Sequence, residues 1–419
     1  MRILHVTDHF GPVGGAERYL QLLLEWLAAE GHEQTLACAD STADHSSISS
    51  LRIATLPGLS DYSSSAGKRL EGRFAQVIEN FEPDVASLHT AQINRRLAAV
   101  LIERVPTIFH AHNAATYCPG HGKYWEKSDS GCDVSYGPGC YRHALLERCA
   151  DRRPWRFIHG YRRVVHASEW LPKVDGLVVG SRYMKEALAQ TCPTTREIHV
   201  IRYAVPAPET PPAYREAVAG RVLFVGRITP QKGLLHLIRA LALVRAPWTL
   251  NVNGDGYAMP AAQRLVSAMG LTDRIYFRGW TDGRQLEVDF QDASVVAVPS
   301  VWPEPFGLVG LEAMAWGRPV VAFNVGGIPE WLEDGVCGRL AAPGDVRGLA
   351  RAIEELIVDR ARAEEFGLSG FETAKTRFSP CGHVRGLLGL YAPLKHGFEP
   401  RSTDRSMALP DRTAGGVQT

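Results

Sequence analysis

With 419 residues, the chain exceeds what one ordinary hydrophobic core supports, so about two domains are expected. Its 45% hydrophobic and 22% charged residues are those of a globular protein and exclude a disordered or fibrous one. A formal net charge of +1 gives no global pull toward nucleic acid or an anionic membrane, so no nucleic-acid partner is expected.

The N-terminal run "MRILHVTDHF" reads as a short strand cut by Asp8 and His9. It lacks the apolar core and cleavage site of a secretion signal, and no later apolar stretch is long enough to span a bilayer. A cytoplasmic protein is the expectation. Further strands are expected at "EQTLACAD", "PDVASLHT", "PTIFHAHN" and "GLVVGS", with helices near 15–30, 94–104 and 183–191 between them. Gly14 and Gly15 fall where the first strand turns into the first helix. Glycines there allow a ligand close to the backbone, and the free amides of a helix start favour phosphate. The spacing is not that of the dinucleotide fingerprint, which disfavours a nicotinamide-dependent oxidoreductase.

Cysteines crowd the end of this half. Cys38, Cys192, Cys337 and Cys381 are scattered, whereas Cys118, Cys132, Cys140 and Cys149 share one segment, an insert near 114–153. A structural zinc held by those four is one reading, with His121 and His143 as further ligands. Reduced thiols or disulfides are the others, because the spacing is not the C-x2-C pairing of a strong zinc signal. From Arg142 to Arg163 there are seven arginines with Trp155, Phe157 and Tyr161 interleaved. A solvated helix face is the simplest account. The sharper ones are a membrane-surface patch, giving peripheral contact with the inner face of the membrane, or a site for an anionic acceptor.

The proline-rich stretch 204–220 reads as a linker between domains. The expected division is a first domain over 1–205 and a second over 206–380, then a helix over 381–395 crossing back to the first domain and a disordered tail over 396–419. In the second half "RVLFVGRI", "WTLNVNGDG", "RIYFRGW", "SVVAVPS" and "PVVAFNVGG" repeat the strand rhythm, with helices near 232–245, 260–269, 283–292 and 307–316. Continuous apolar strands between amphipathic helices predict two α/β domains, each a doubly wound, Rossmann-like parallel sheet. Ligands of such sheets sit at the carboxyl ends of the strands. Arg227 and Lys232 fall there and suit a diphosphate; Glu304, on the loop after "SVVAVPS", suits sugar hydroxyls. Glu312, inside the next helix, could accept both hydroxyls of a ribose, and Phe306, Gly307 and Leu308 begin that helix with amides available to an anion. Surface glutamates are the plain alternative for an isolated E-x7-E.

The run E-P-F-G-L-V-x-L-E-A-M-A, with V-G-R-x4-K-G upstream and G-G-A-E near the N-terminus, resembles the retaining glycosyltransferases of family four over roughly residues 1–395. The resemblance implies the GT-B fold, two Rossmann-like domains facing across a cleft, with a nucleotide-sugar donor held by the second and an acceptor by the first. It matches Arg227 and Lys232 to the diphosphate, Glu304 to the donor sugar, Glu312 to the ribose and Gly15 to the donor phosphate. Phe306, Gly307 and Leu308 match the loop over phosphate and sugar, with Asn324, Gly326 and Gly327 as secondary candidates. The family also carries a histidine beside the donor sugar. His110 and His112 are both available, and an H-D-x4-C-P spacing to Cys118 selects His112, with Asn113 in place of the usual aspartate.

These implications describe retaining transfer of a hexosyl group from a nucleoside-diphosphate sugar, uridine by default, to a small-molecule, glycan or lipid-linked acceptor. No protein nucleophile or catalytic divalent cation is expected. A sugar-nucleotide epimerase or hydrolase of the same fold, or a non-catalytic partner subunit, is the alternative.

Overall fold

The computed structural model describes residues 1–398 except 12–13, 43–47, 49, 121, 133, 151–152, 192–195, 215–216 and 282. His121, Cys192 and the tail over 399–419 therefore lie outside the described residues.

The first half alternates β1 (Arg2–Phe10), α1 (Gly15–Ala29), β2 (Glu33–Ser41), β3 (Leu51–Thr55), α2 (Ser64–Phe81), β4 (Val85–Leu88), α3 (Arg95–Arg104) and β5 (Thr107–Ala111). The insert follows, with the short hairpin β6 (Tyr124–Trp125) and β7 (Ser130–Gly131) and the helices α4 (Gly139–Leu146) and α5 (Pro154–Trp170). Then come β8 (Gly176–Val179), α6 (Arg182–Thr191) and β9 (Ile198–Val200). Apart from the β6–β7 hairpin, all these strands join one parallel sheet in the order β3-β2-β1-β4-β5-β8-β9.

The second half runs β10 (Arg221–Val225), α7 (Leu234–Leu241), β11 (Thr249–Asn253), α8 (Met259–Ala268), β12 (Ile275–Gly279), α9 (Gly283–Asp292), β13 (Val295–Val298), α10 (Leu308–Ala315), β14 (Val320–Phe323), β15 (Gly338–Ala341), α11 (Val346–Val358) and α12 (Arg360–Arg377). Its sheet is also parallel, ordered β12-β11-β10-β13-β14-β15. The two doubly wound sheets expected from the sequence are thus present. Every residue of β4, β13 and β14 is buried, as both-face coverage by helices demands. In each sheet the strand order reverses beside the first strand, between β1 and β4 and between β10 and β13. That reversal opens a crevice at the carboxyl ends, where this architecture binds ligands.

The last helix, α13 (Pro380–Gly397), runs two residues past the expected helix into the segment expected to be disordered. Ser379 caps it, its hydroxyl accepting from the Gly382 amide. The helix lies on the first sheet's domain. Tyr391, fully buried, pairs its hydroxyl with Ser87 Oγ (3.1 Å) and His110 Nε2 (3.0 Å), and Lys395 reaches Asp84 at 3.3 Å. The chain therefore crosses between domains twice, and the crossings touch, the Val205 amide donating to the Phe378 carbonyl at 3.2 Å.

Candidate active site

The second domain's centre is a buried ion pair. Lys232, just past the end of β10, donates from Nζ to both oxygens of Glu304, at 3.0 Å and 2.8 Å. The same carboxylate accepts from Ser300 Oγ (2.9 Å) and Trp302 Nε1 (2.7 Å), both on Oε2. Glu304 is only 6% exposed. Burial alone would raise its carboxyl, but the Lys232 charge and the hydrogen bonds from Lys232, Trp302 and Ser300 outweigh it and hold the group below the ordinary carboxylate range. Oε2 is saturated and Oε1 takes one bond, so Oε1 keeps room for a further donor.

The loop is propped from below. The Gly327 amide donates to the Glu304 carbonyl at 2.8 Å, and Gly326 sits at φ +55°, where an added Cβ would overlap that carbonyl. Gly326 and Gly327 thus act on Glu304's backbone, while Asn324 is exposed at the strand end. Ser181, before α6 of the first domain, donates to the Pro305 carbonyl at 2.6 Å, and Glu330 accepts from the Tyr183 amide at 3.0 Å. Phe306 is buried, its carbonyl taken by Trp331 Nε1 at 2.6 Å. Gly307, with φ +90°, turns the chain into α10 at Leu308.

Two helix starts face each other here. A Cβ built on Gly15, at the start of α1, would lie 3.9 Å from Leu308 Cδ1 at the start of α10. Gly14 precedes α1 in extended backbone. The first amides of a helix have no partner within it, and the dipole makes that end positive, so both starts present donors to the same space. Glu312, in α10, is partly buried; burial pushes its carboxyl up to about 7, opposed by the charge of Arg18 on α1 across the cleft. Arg227, directly after Gly226 at the end of β10, is exposed.

The first domain contributes a cavity of about 100 Å³ at its own crevice, lined among others by Asp8, Glu17, His89, Gln92 and His112. His112 is tied by both ring nitrogens, Nδ1 to Tyr203 Oη at 2.7 Å and Nε2 to His89 Nδ1 at 3.0 Å. His89 continues to Ser87 Oγ (3.0 Å) and His5 (3.2 Å), and Ser87 to His110 Nε2 (2.9 Å). Burial first, then the nearby His383 charge, lowers His112 to about 3, and burial and histidine neighbours push His89 and His110 well down. This is a chain of neutral imidazoles. His110 is bonded to the last helix, and His89, His110 and His112 all line the cavity. Asn113 caps the following turn, its side chain accepting from the Ala115 amide at 2.8 Å. The sequence reading missed His5, His89 and Tyr203, which look like isolated core residues until β1 and β4 pair with His5 opposite Ser87.

Cys118, Cys132, Cys140 and Cys149 do line one small pocket of about 20 Å³, with His143. They are free thiols, however, and among the described residues no three His, Cys, Asp or Glu side chains are gathered to hold a metal ion. Of the zinc, thiol and disulfide readings of these cysteines, the described side chains stand as free thiols around the pocket. Burial first and then the neighbouring thiols push Cys149 up to about 12. The insert also reaches the second domain. A Cβ on Gly122, which sits at φ +92°, would overlap the ring of Trp302, and Asp129, bonded by Tyr124 Oη, meets His236 Nε2 at 2.9 Å. The insert therefore seats against the residue that donates to Glu304.

Family models described as Glycosyltransferase Family 4 and Glycosyl transferases group 1 match residues 13–207 and 219–359. Glycogen synthase of Mycobacterium tuberculosis is 32% identical over 261 residues, 60% of this chain and 63% of that protein, so the chain spans less than two thirds of it. Alpha-maltose-1-phosphate synthase of Mycolicibacterium smegmatis is 31% identical over 312 residues, 65% of this chain and 75% of that protein. Among solved structures, Anabaena HepE in complex with UDP and glucose superposes with a TM-score of 0.69 at 21% identity, covering 94% of this chain and 99% of that one.

Proposed function

Because this chain belongs to glycosyltransferase family 4 and has the two-domain GT-B fold, we propose that it moves a hexosyl group from a nucleoside-diphosphate sugar to an acceptor hydroxyl with retention of anomeric configuration. The observation that carries the reading is the meeting of the two helix starts, at Gly15 and Leu308, in a cleft whose second wall holds Lys232 and Arg227. Free amides, an ammonium and a guanidinium suit the charge that develops on a departing diphosphate. UDP is the default nucleotide, which the UDP complex of the Anabaena neighbour supports by analogy. Glu312 accepts from the ribose hydroxyls, and Glu304 offers Oε1 to the sugar while holding Lys232 in place.

In this mechanism the acceptor oxygen bonds to the anomeric carbon from the face the diphosphate leaves. The carbon–oxygen bond to phosphate breaks, and the acceptor proton passes to a donor phosphate oxygen. The protein supplies position and a preorganised field. His112, held neutral, shapes the cavity wall beside the sugar. That cavity is what a transferase needs and a donor-only hydrolase does not.

The test is binding of UDP by calorimetry, followed by product analysis with UDP-hexoses. Wild type should bind UDP, and Arg227→Ala should lower turnover about a hundredfold with unchanged melting, since Arg227 is exposed. No UDP binding, or wild-type turnover in Arg227→Ala, overturns the reading.

A further inference from the structure

We propose that α4 and the start of α5 form a docking face for an anionic lipid bilayer. The inference is independent of the proposed reaction. Helix α4 has no buried residue at all. Eight-residue helices are marginal in water unless an apolar face packs on something. Instead, this segment exposes its large side chains: Leu145 is 75% exposed, Trp155 65%, Leu146 55%, Tyr141 49% and Ile158 42%. Five exposed large apolar residues within eighteen positions, 141–158, are the kind of local concentration that marks an interaction site.

Helix α4 touches α5 through Tyr141, which packs on Phe157 (centroids 4.8 Å) and Tyr161 (5.4 Å). Arg163 pins α5 beneath the cavity rim, donating from Nε to the Ala115 carbonyl and from Nη2 to the Cys118 carbonyl, each at 2.9 Å. That inward role removes Arg163 from the surface run expected from the sequence.

What remains outside is basic. Arg142, Arg148, Arg153, Arg156 and Arg162 are exposed around the apolar residues, and over 139–163 the sequence sets seven arginines against the two acidic residues Glu147 and Asp151. Tryptophan, leucine and tyrosine framed by arginine is the composition of a helix lying in a membrane interface. A second copy is the poorer occupant, because a two-fold contact would set these arginines against themselves. No helix among the described residues is long and apolar enough to cross a membrane, so the contact would be peripheral.

The experiment is flotation of the full chain with vesicles of phosphatidylcholine alone or mixed with phosphatidylglycerol. Wild type should float with the anionic vesicles only, and added salt should release it. Arg142→Gln and Arg162→Gln should each weaken binding about fivefold. Leu145→Asp with Trp155→Asp should weaken it at least about tenfold, by removing the apolar anchor, with thermal melting unchanged because these side chains are exposed. The proposal is overturned if wild type stays in the buffer fraction, or if the Leu145→Asp/Trp155→Asp variant floats like wild type. It is equally overturned if wild type sediments as a dimer that the same substitutions dissolve.

Discussion

Lys232 and Glu304 cannot be considered one at a time. Removing the ammonium leaves a buried carboxylate with only Ser300 and Trp302 to satisfy it, and breaking one side of such a pair costs about 3 kcal/mol or more. Lys232→Ala should therefore lose stability as well as turnover. The double variant Lys232→Met/Glu304→Gln should recover most of the melting temperature while staying inactive, and recovery of turnover would show that the pair serves stability alone. Because Glu304 is held low, its stabilisation is present above its unfolded value and fades as pH falls through the depressed one. Glu312 behaves oppositely. Folded, it keeps its proton up to about 7, whereas the unfolded chain loses it near 4.5, so its contribution is full below 4.5 and lost as pH rises through 7, an effect of at most about 3 kcal/mol. If the ionised carboxylate holds the ribose, UDP affinity should climb toward tenfold per pH unit below 7 and level off above it. Glu312→Gln should weaken binding and flatten that climb in calorimetry; a variant with the wild-type profile would remove the ribose assignment.

At the scale of elements, the Gly122 turn of the insert and the Trp302 loop form one working contact. Alanine at Gly122 would collide with the Trp302 ring and strain a left-handed backbone, shifting the indole that donates to Glu304. Gly122→Ala is expected to lower turnover about tenfold, roughly the worth of one charged hydrogen bond, with melting changed little. Unaltered kinetics would mean that the loop holds Glu304 without the insert. This contact joins residues far apart in the chain, and nothing local announces it. The strands β10, β13 and β14 were legible because both faces are buried, which writes a continuous apolar run, and Lys232 and Glu304 were legible because the ends of such strands are where ligands go. Helix α12 was not: its buried face includes Ala363, Gly367, Gly370 and Ala374, and Gly367 is packed against the Gly317 carbonyl too closely for a Cβ, so the pattern of large apolar residues is absent. Helix α2 hides similarly, its buried stripe of Ala66, Leu70, Phe74, Ile78 and Phe81 one residue wide among polar neighbours. The chemistry of the four clustered cysteines could not be decided from spacing, since the same spacing serves a metal, a disulfide or, as found, a thiol-lined pocket.

For the whole molecule, the informative feature is the pair of crossings at Val205 and Phe378. Lying side by side, they join the two domains at one place, beside the contacts of Ser181 with Pro305 and of Tyr183 with Glu330. The insert's Asp129–His236 pair adds a further contact between the domains. The same topology governs what happens when the backbone is cut. A protease site introduced between Pro206 and Pro212 would sever one crossing only, and the C-terminal fragment would still carry α13, seated through Tyr391 and His383 in the N-terminal fragment. The cleaved halves should therefore co-elute on gel filtration and retain UDP binding; separation into two species would mean that α13 is held by chain connectivity rather than by its own contacts. Two genes, each encoding one fragment, would then suffice to reconstitute the molecule.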